Sequence, residues 1–76
     1  MFYVYVIKPE LDNIVKIGYR KHPNKRLHQL MYVINQVCDI IDLYVFPNEK
    51  DARLFEKDLH VRLSDKRIAG EWFSLG

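Results

Sequence analysis

Cysteine is nearly absent from this chain, and long apolar runs are absent altogether. The single cysteine, Cys38, excludes an internal disulfide and any zinc site built from several cysteines. We expect it to be a buried thiol in a reducing compartment. No apolar stretch approaches the roughly 20 residues that a membrane-spanning helix needs, and residues 1–7 lack the basic group that begins a signal peptide. We therefore expect a cytoplasmic protein without a membrane partner.

Linkers, internal repeats and low-complexity segments are also missing. The 76 residues are 49% hydrophobic and 29% charged, which excludes a disordered tail and a fibrous repeat. A chain of this length can close one hydrophobic core, although a thin one, because small domains bury a lower share of their surface. We expect residues 1–76 to form a single domain.

Positive charge is concentrated in the first half of the chain, although the net charge is only +2. Residues 1–38 hold six Lys and Arg against two acids, whereas residues 39–76 hold six against eight. Such a concentration can attract phosphates regardless of nucleotide sequence. The alternative is a solvated loop that happens to be basic. The stretch from position 16 to position 26 holds five cations and no acid, and we predict these five as nucleic-acid contacts: Lys16, Arg20, Lys21, Lys25 and Arg26.

Three segments have the composition of β-strands. Residues 2–7 are aromatic or β-branched throughout, which is typical of a strand covered on both faces. Residues 9–13 are turn formers and residues 14–18 are again rich in β-branched side chains, which predicts an antiparallel hairpin. We expect Gly18 to end the second strand, where the backbone bends or admits a close neighbour. Residues 39–46 predict a third strand.

Two segments have helical periodicity. Pro23 suits the first position of a helix, and Asn35 is a plausible end. Asn48 can cap a second helix. The apolar stripe of the first helix is predicted to be Leu27, Leu30, Met31 and Ile34, and that of the second Ala52, Phe55, Leu59 and Leu63.

The fold class that follows is α+β. We predict a three-stranded, mainly antiparallel sheet with flanking helices, in the order ββαβα. Residues 64–70 are predicted to be a polar loop, and residues 71–74 a short terminal strand or docking segment that closes the core.

The order of several short motifs resembles the GIY-YIG nuclease superfamily. The first motif corresponds to Tyr3-Val4-Tyr5, and the second to Lys16-Ile17-Gly18, as in the branch of small domains that has KIG in place of YIG. Arg26, Glu56 and a terminal Glu-Trp-Phe follow in the expected order. The resemblance covers nearly the whole chain, and the ordered set is far more specific than any one tripeptide.

This resemblance implies hydrolysis of phosphodiester bonds in DNA. It places Tyr5 in the catalytic site, gives Arg26 the role of stabilising phosphate charge, and makes Glu56 the ligand of Mg²⁺ or Mn²⁺. Such a metal ion commonly needs only one or two protein carboxylates. Lys16 replaces the tyrosine of the second motif, where it can clamp a phosphate or, with a depressed pKa, act as a base. Tyr19 can serve instead as a displaced phenol.

His60 is the last catalytic candidate. It follows Glu56 by four residues, so both side chains lie on one helix face. The zinc-protease motif HExxH has a second histidine that this segment lacks, which argues against a zinc enzyme. In the KIG branch a histidine commonly has this spacing, and the resemblance implies that His60 contacts phosphate or supports the metal ligand. Packing alone is the other interpretation.

Ordinary roles exist for each candidate, and three functions remain open. Tyr5 can be a core aromatic, Arg26 a surface residue with a buried stem, and Glu56 a partner of Arg53 or His60. The leading hypothesis is a metal-dependent DNA endonuclease, by analogy from a phage or mobile element acting in a host cell. The first alternative is an inactive relative that binds nucleic acid or a protein. The second is an interaction domain with exposed aromatics. Cutting both DNA strands is expected to need a homodimer or two successive visits by one molecule.

Overall fold

The computed structural model describes all residues 1–76. Seven helices and strands follow one another along the chain, and a single 3₁₀ turn, Ser64–Lys66, lies between α2 and β4. They are β1 (Phe2–Pro9), β2 (Ile14–Arg20), α1 (Pro23–Ile34), β3 (Cys38–Phe46), α2 (Glu49–Arg62), β4 (Arg67–Ala69) and β5 (Trp72–Ser74).

All five strands form one antiparallel sheet in the order β3-β1-β2-β5-β4. The α+β class and the β1–β2 hairpin are confirmed, with Tyr5 opposite Gly18 and Ile7 opposite Lys16. The prediction of three strands was wrong, because the C-terminal segment adds β5 beside β2 and β4 beside β5. The predicted polar loop therefore contains a strand, since pairing with β5 supplies hydrogen bonds that three residues cannot make alone.

The first two predicted strands extend further than expected. β1 continues to Pro9, where it faces Cys38 of β3. β2 continues to Arg20, which faces Tyr3, so the expectation that Gly18 ends the strand was wrong. The expectation of a close neighbour at Gly18 is confirmed below.

The helices lie on opposite faces of the sheet. Val4 packs in a cluster with Ala52 and its neighbours on α2, whereas Tyr5 and Ile7 pack with Leu30 of α1. Because side chains alternate along a strand, these contacts place α2 and α1 on the two sides of β1. Both predicted apolar stripes are confirmed, since every one of their members packs in one of these clusters.

The predicted helix ends and the thiol are also confirmed. The Asn48 side chain accepts a hydrogen bond of 2.9 Å from the backbone N–H of Asp51 at the start of α2. Asn35 ends α1 with φ of 54°. Cys38 is buried, and burial raises the pKa of its thiol. Neither helix combines the length and apolar character that a bilayer crossing requires.

The outer edge of the sheet at β3 carries exposed apolar side chains. β3 pairs only with β1, so one of its edges has no strand beside it. About half of the surface of Ile41, Leu43 and Val45 is accessible to solvent. Exposed, apolar edge strands are surfaces on which other chains can pair.

Candidate active site

Gly18 allows two functional groups to meet over the backbone of β2. A Cβ atom at this position would overlap the hydroxyl of Tyr5 and would lie 2.9 Å from Oε1 of Glu71. Tyr5 itself is fully buried. The absence of a side chain at position 18 therefore brings a phenol and a carboxylate to one point of the sheet.

Lys16 is held by the same carboxylate. Its Nζ atom lies 3.3 Å from Oε1 of Glu71 and 5.3 Å from the centroid of the Trp72 ring. Only 8% of the residue is exposed. The predicted contact of Lys16 with phosphate stays a prediction, and it requires this ion pair to open.

Glu71 is the site residue that sequence reasoning missed. Residues 71–74 were predicted to be a short terminal strand or docking segment that closes the core, and β5 confirms the strand. Phe73, only 1% exposed, confirms core closure at its own position. The backbone of Glu71 is held beside β2 because its C=O accepts a hydrogen bond of 2.9 Å from the backbone N–H of Ile17. The available signal was a single acid beside two large aromatic residues at the end of a small domain.

Tyr5 is a neutral phenol in this environment. Burial raises its pKa, and the negative charge of Glu71 raises it further. Arg26 and Arg20 oppose this shift only in part. The guanidinium of Arg26 approaches the hydroxyl, but the contact lacks the geometry of a hydrogen bond. Tyr5 is thus suited to donate a hydrogen bond rather than to act as a phenolate base.

Glu56 lies on α2 with a raised pKa. Burial is the main cause, and the negative charge of Glu71 adds to it. The positive charges of His60, Arg20 and Arg53 oppose the shift. The i−3 pairing with Arg53 is not formed, because Arg53 makes no ion pair. Glu56 therefore carries a partly buried carboxylate without a direct cationic partner.

His60 is fixed by the edge of β2. Its Nε2 atom lies 3.0 Å from the carbonyl oxygen of Ile17, and its ring lies 5.0 Å from that of Phe73. A carbonyl oxygen only accepts hydrogen bonds, so this contact requires the proton on Nε2 and leaves Nδ1 as the free nitrogen. A contact between His60 and phosphate stays a prediction.

Tyr19 lies on the other face of the sheet from Tyr5. It directly follows Gly18 and packs against the cluster on the α2 side, opposite Val4. Its predicted role as a displaced phenol therefore belongs to the face that carries Glu56 and His60. The exposed cations of the basic stretch are Arg20, Lys21 and Lys25.

Three buried polar side-chain atoms have no hydrogen-bond partner in the whole chain. They are Oη of Tyr5, Nε of Arg26 and Oε2 of Glu56. Leaving such an atom unpaired costs about 1–3 kcal/mol, so each instance calls for an explanation such as a catalytic role or an absent ligand. All three belong to residues predicted for the catalytic site.

Glu56 is the residue in this arrangement that could hold a divalent cation. The unpaired Oε2 atom is a free oxygen ligand, and Mg²⁺ commonly takes one or two protein carboxylates and keeps several waters. No group of three or more His, Cys, Asp or Glu side chains comes together. A metal ion here would therefore depend on Glu56 and on water.

Glu71 connects the predicted residues electrostatically. It pairs with Lys16 and raises the pKa of both Tyr5 and Glu56. Arg20, at the end of β2, lowers both of those pKa values. The end of β2 is thus the point at which groups from both faces of the sheet influence one another.

The chain belongs to the T5orf172 domain family, because the sequence model of this family matches residues 2–76. This is an endonuclease-like domain, which indicates a nuclease-like or DNA-binding function. Comparisons with curated proteins and with solved structures found no match. The finer assignment to the GIY-YIG superfamily stays a prediction.

Proposed function

We propose that this domain is a divalent-metal-dependent DNA endonuclease of GIY-YIG type. The observation that carries the proposal is the set of three unpaired, buried polar atoms on Tyr5, Arg26 and Glu56. A fold selected for stability alone would pair these atoms or replace them. A phosphodiester with its metal ion and water would supply the missing partners.

Each residue has a distinct task in this proposal. Glu56 holds Mg²⁺ or Mn²⁺, which when bound polarises a phosphoryl oxygen and assists the leaving group. Arg26 stabilises the negative charge that develops on the phosphate. Tyr5, kept neutral by burial, donates its proton in a hydrogen bond to the phosphate or to the attacking water.

The other three candidates, Lys16, His60 and Tyr19, support the residues that contact the phosphate and the metal ion. Lys16 stays paired with Glu71 and holds that carboxylate beside the Tyr5 hydroxyl. His60 donates from Nε2 to the carbonyl oxygen of Ile17 on β2 and leaves Nδ1 free. Tyr19 is a phenol on the same face as His60. These placements support positioning roles for all three.

Incubation with supercoiled plasmid and Mg²⁺ or Mn²⁺ tests the proposal. Wild-type protein should nick or linearise the plasmid, and Glu56→Gln should abolish cleavage while DNA binding stays equal or becomes slightly tighter. Glu49→Gln removes an exposed carboxylate from the same helix and should cleave normally. Cleavage by Glu56→Gln at the wild-type rate would contradict the metal-ligand role.

Arg26 provides a second, independent arm of the same assay. Arg26→Ala should lower the cleavage rate on the order of a hundredfold or more, because it removes an electrostatic stabiliser of the transition state. It should also weaken DNA binding, since the guanidinium contacts phosphate in the ground state. Arg62→Ala, which breaks an exposed ion pair with Asp58, is the matched control.

Lys16 favours the alternative of a domain that binds DNA without cutting it. At the position of the second motif tyrosine the chain has an ammonium group locked against Glu71 and Trp72. Plasmid binding without cleavage at any concentration of Mg²⁺ or Mn²⁺ would select this alternative. The exposed apolar edge of β3 favours binding of a protein partner or of a second copy of this chain instead of DNA. Sedimentation velocity tests whether a second copy binds.

A further inference from the structure

A groove of about 590 Å³ runs along α2 and is bordered by β4. Four cations line it, and they are Lys50, Arg53 and Lys57 from α2 together with Arg67 from β4. Glu56 is its only acidic side chain, and His60 lies beside it. The groove is therefore a basic channel that leads to the proposed metal ligand.

The positive charges in this groove are not neutralised within the fold. The chain has only two ion pairs, Lys16–Glu71 and Asp58–Arg62, and neither involves a cation of the groove. Arg67 is oriented by a hydrogen bond of 2.8 Å from its Nε atom to the carbonyl oxygen of Gly70. This bond leaves the two terminal nitrogens of its guanidinium free to bind an anion.

The net charge of the surrounding sequence does not predict a basic groove. Residues 39–76 sum to −2, which makes this half of the chain look unsuited to phosphate binding. The neighbouring acids Glu49, Asp51 and Asp58 do not line the groove. Helical spacing puts Asp51 and Asp58 on a different face of α2 from Arg53 and Lys57.

We propose that this groove binds the phosphate backbone of the DNA strand next to the bond that is cut. The inference deepens the proposed function and rests on it. From Lys50 to Lys57 the helix rises about 10 Å, at 1.5 Å per residue. That length covers the axial span of three successive phosphates of one strand, which is about 7 Å at 3.4 Å per step. Three phosphates can thus meet three cations of α2 while Glu56 faces the adjoining phosphodiester.

The groove and the exposed cations of the basic stretch, Arg20, Lys21 and Lys25, contribute separately to DNA binding. Arg20 lies at the end of β2, close enough to Glu56 to lower its pKa. The cations of α2 line a groove bordered by β4, and Arg20, Lys21 and Lys25 do not line it. DNA held by both groups would lie across the end of β2, where the unpaired atoms of the site are.

A charge-neutralised groove variant tests the inference. Lys50→Gln, Arg53→Gln and Lys57→Gln are combined, and binding to a fluorescent duplex is measured in EDTA over a range of salt concentrations. Loss of three phosphate contacts should reduce the slope of log K against log salt by about 2.7, at 0.9 for each contact. At 0.1 M salt the affinity should fall at least about tenfold. These three side chains are exposed, so the fold is expected to survive.

The matched control removes three positive charges outside the groove. Lys8→Gln, Arg62→Gln and Lys66→Gln give the same net charge, and none of these residues lines the groove. The control should keep the wild-type slope and most of the affinity. Equal slopes and affinities for the groove variant and the control would overturn the inference while leaving the proposed function intact. Wild-type protein that neither binds nor cleaves DNA would overturn both.

Discussion

The hydroxyl of Tyr5 lies over the Cα atom of Gly18, in the space that a Cβ atom would need. The two residues face each other across the β1–β2 ladder. Because the Glu71 carboxylate reaches the same point, one glycine determines how closely the phenol and the carboxylate approach. The pKa of Tyr5 and that of Glu56 both depend on this arrangement.

Gly18→Ala should destabilise the domain by about 1–3 kcal/mol, as overpacking in a filled interior commonly does. The new methyl group would meet Tyr5, which is fully buried, and Glu71, which is held by its ion pair. Urea unfolding measures the change. Gly76→Ala is the control, since a Cβ atom there meets nothing closer than 3.6 Å. A Gly18→Ala variant as stable as wild type would show that Tyr5 is seated elsewhere.

Tyr5→Phe should separate stability from function. The hydroxyl of Tyr5 has no hydrogen-bond partner in the fold, so its removal should leave the melting temperature equal or slightly higher. Cleavage should fall by about a hundredfold if the hydroxyl positions the phosphate or the water. Tyr32→Phe, at a tyrosine that is 90% exposed, is the control for both measurements. A large loss of stability in Tyr5→Phe would assign the hydroxyl a structural role.

Glu56→Gln should stabilise the metal-free protein, and more so at high pH. The raised pKa means that the folded state holds the Glu56 proton more tightly than the unfolded chain does. Ionisation therefore costs stability as the pH rises through the folded pKa, and the cost is absent below the unfolded value of about 4.3. In EDTA, the gain in melting temperature over wild type should be larger at pH 8 than at pH 4.

Melting temperatures of wild type, Glu56→Gln and Glu49→Gln also report metal binding, without any cleavage assay. Mn²⁺ at pH 8 should raise the melting temperature of wild type, because a ligand that binds only the folded state stabilises it. Glu56→Gln should show no such rise, whereas Glu49→Gln should behave as wild type. Equal responses of all three proteins to Mn²⁺ would place the metal away from Glu56.

Glu71→Gln should lower the pKa of both Tyr5 and Glu56. The negative charge of Glu71 raises both values, so its neutralisation removes part of each shift. The variant also leaves the buried ammonium of Lys16 without its partner, which should cost about 1–3 kcal/mol. Carbon-detected NMR titration of the Glu56 carboxyl group measures the first effect, and urea unfolding the second. An unchanged Glu56 titration would refute the electrostatic link.

A double variant checks the stability part of this prediction. Combining Lys16→Met with Glu71→Gln removes both charges, so no buried charge is left unpaired. The double variant should recover much of the stability that Glu71→Gln loses. Additive losses from the two substitutions would mean that the ion pair contributes little.

Local sequence patterns were sufficient for the elements whose signals lie within the element itself. The apolar stripe that includes Leu27 and Leu30 predicts α1 because helical periodicity repeats every 3.6 residues. Asn48 predicts the start of α2 because its side-chain oxygen can accept a hydrogen bond from a backbone N–H of the first helical turn. Residues 2–7 predict a covered strand, and β1 indeed lies between two strands and two helices.

Patterns of the same kind failed where the partner is distant in sequence. Residues 67–69 have no local strand signal and become β4 only through pairing with β5, which itself depends on β2. The strand continues past Gly18 because β1 pairs with it as far as Arg20, whatever the intrinsic preference of glycine.

The candidate site also combines residues that the sequence indicates with residues that only the fold brings together. The motif order by itself determined which residues to examine, and Tyr5, Arg26 and Glu56 carry the three unpaired buried atoms. Only the tertiary structure decided that Glu71 joins them and that Lys50, Arg53 and Lys57 line one groove. Charge interactions depend on distance in space and on burial, and neither quantity can be calculated from separation along the chain before the sheet and helices are assembled.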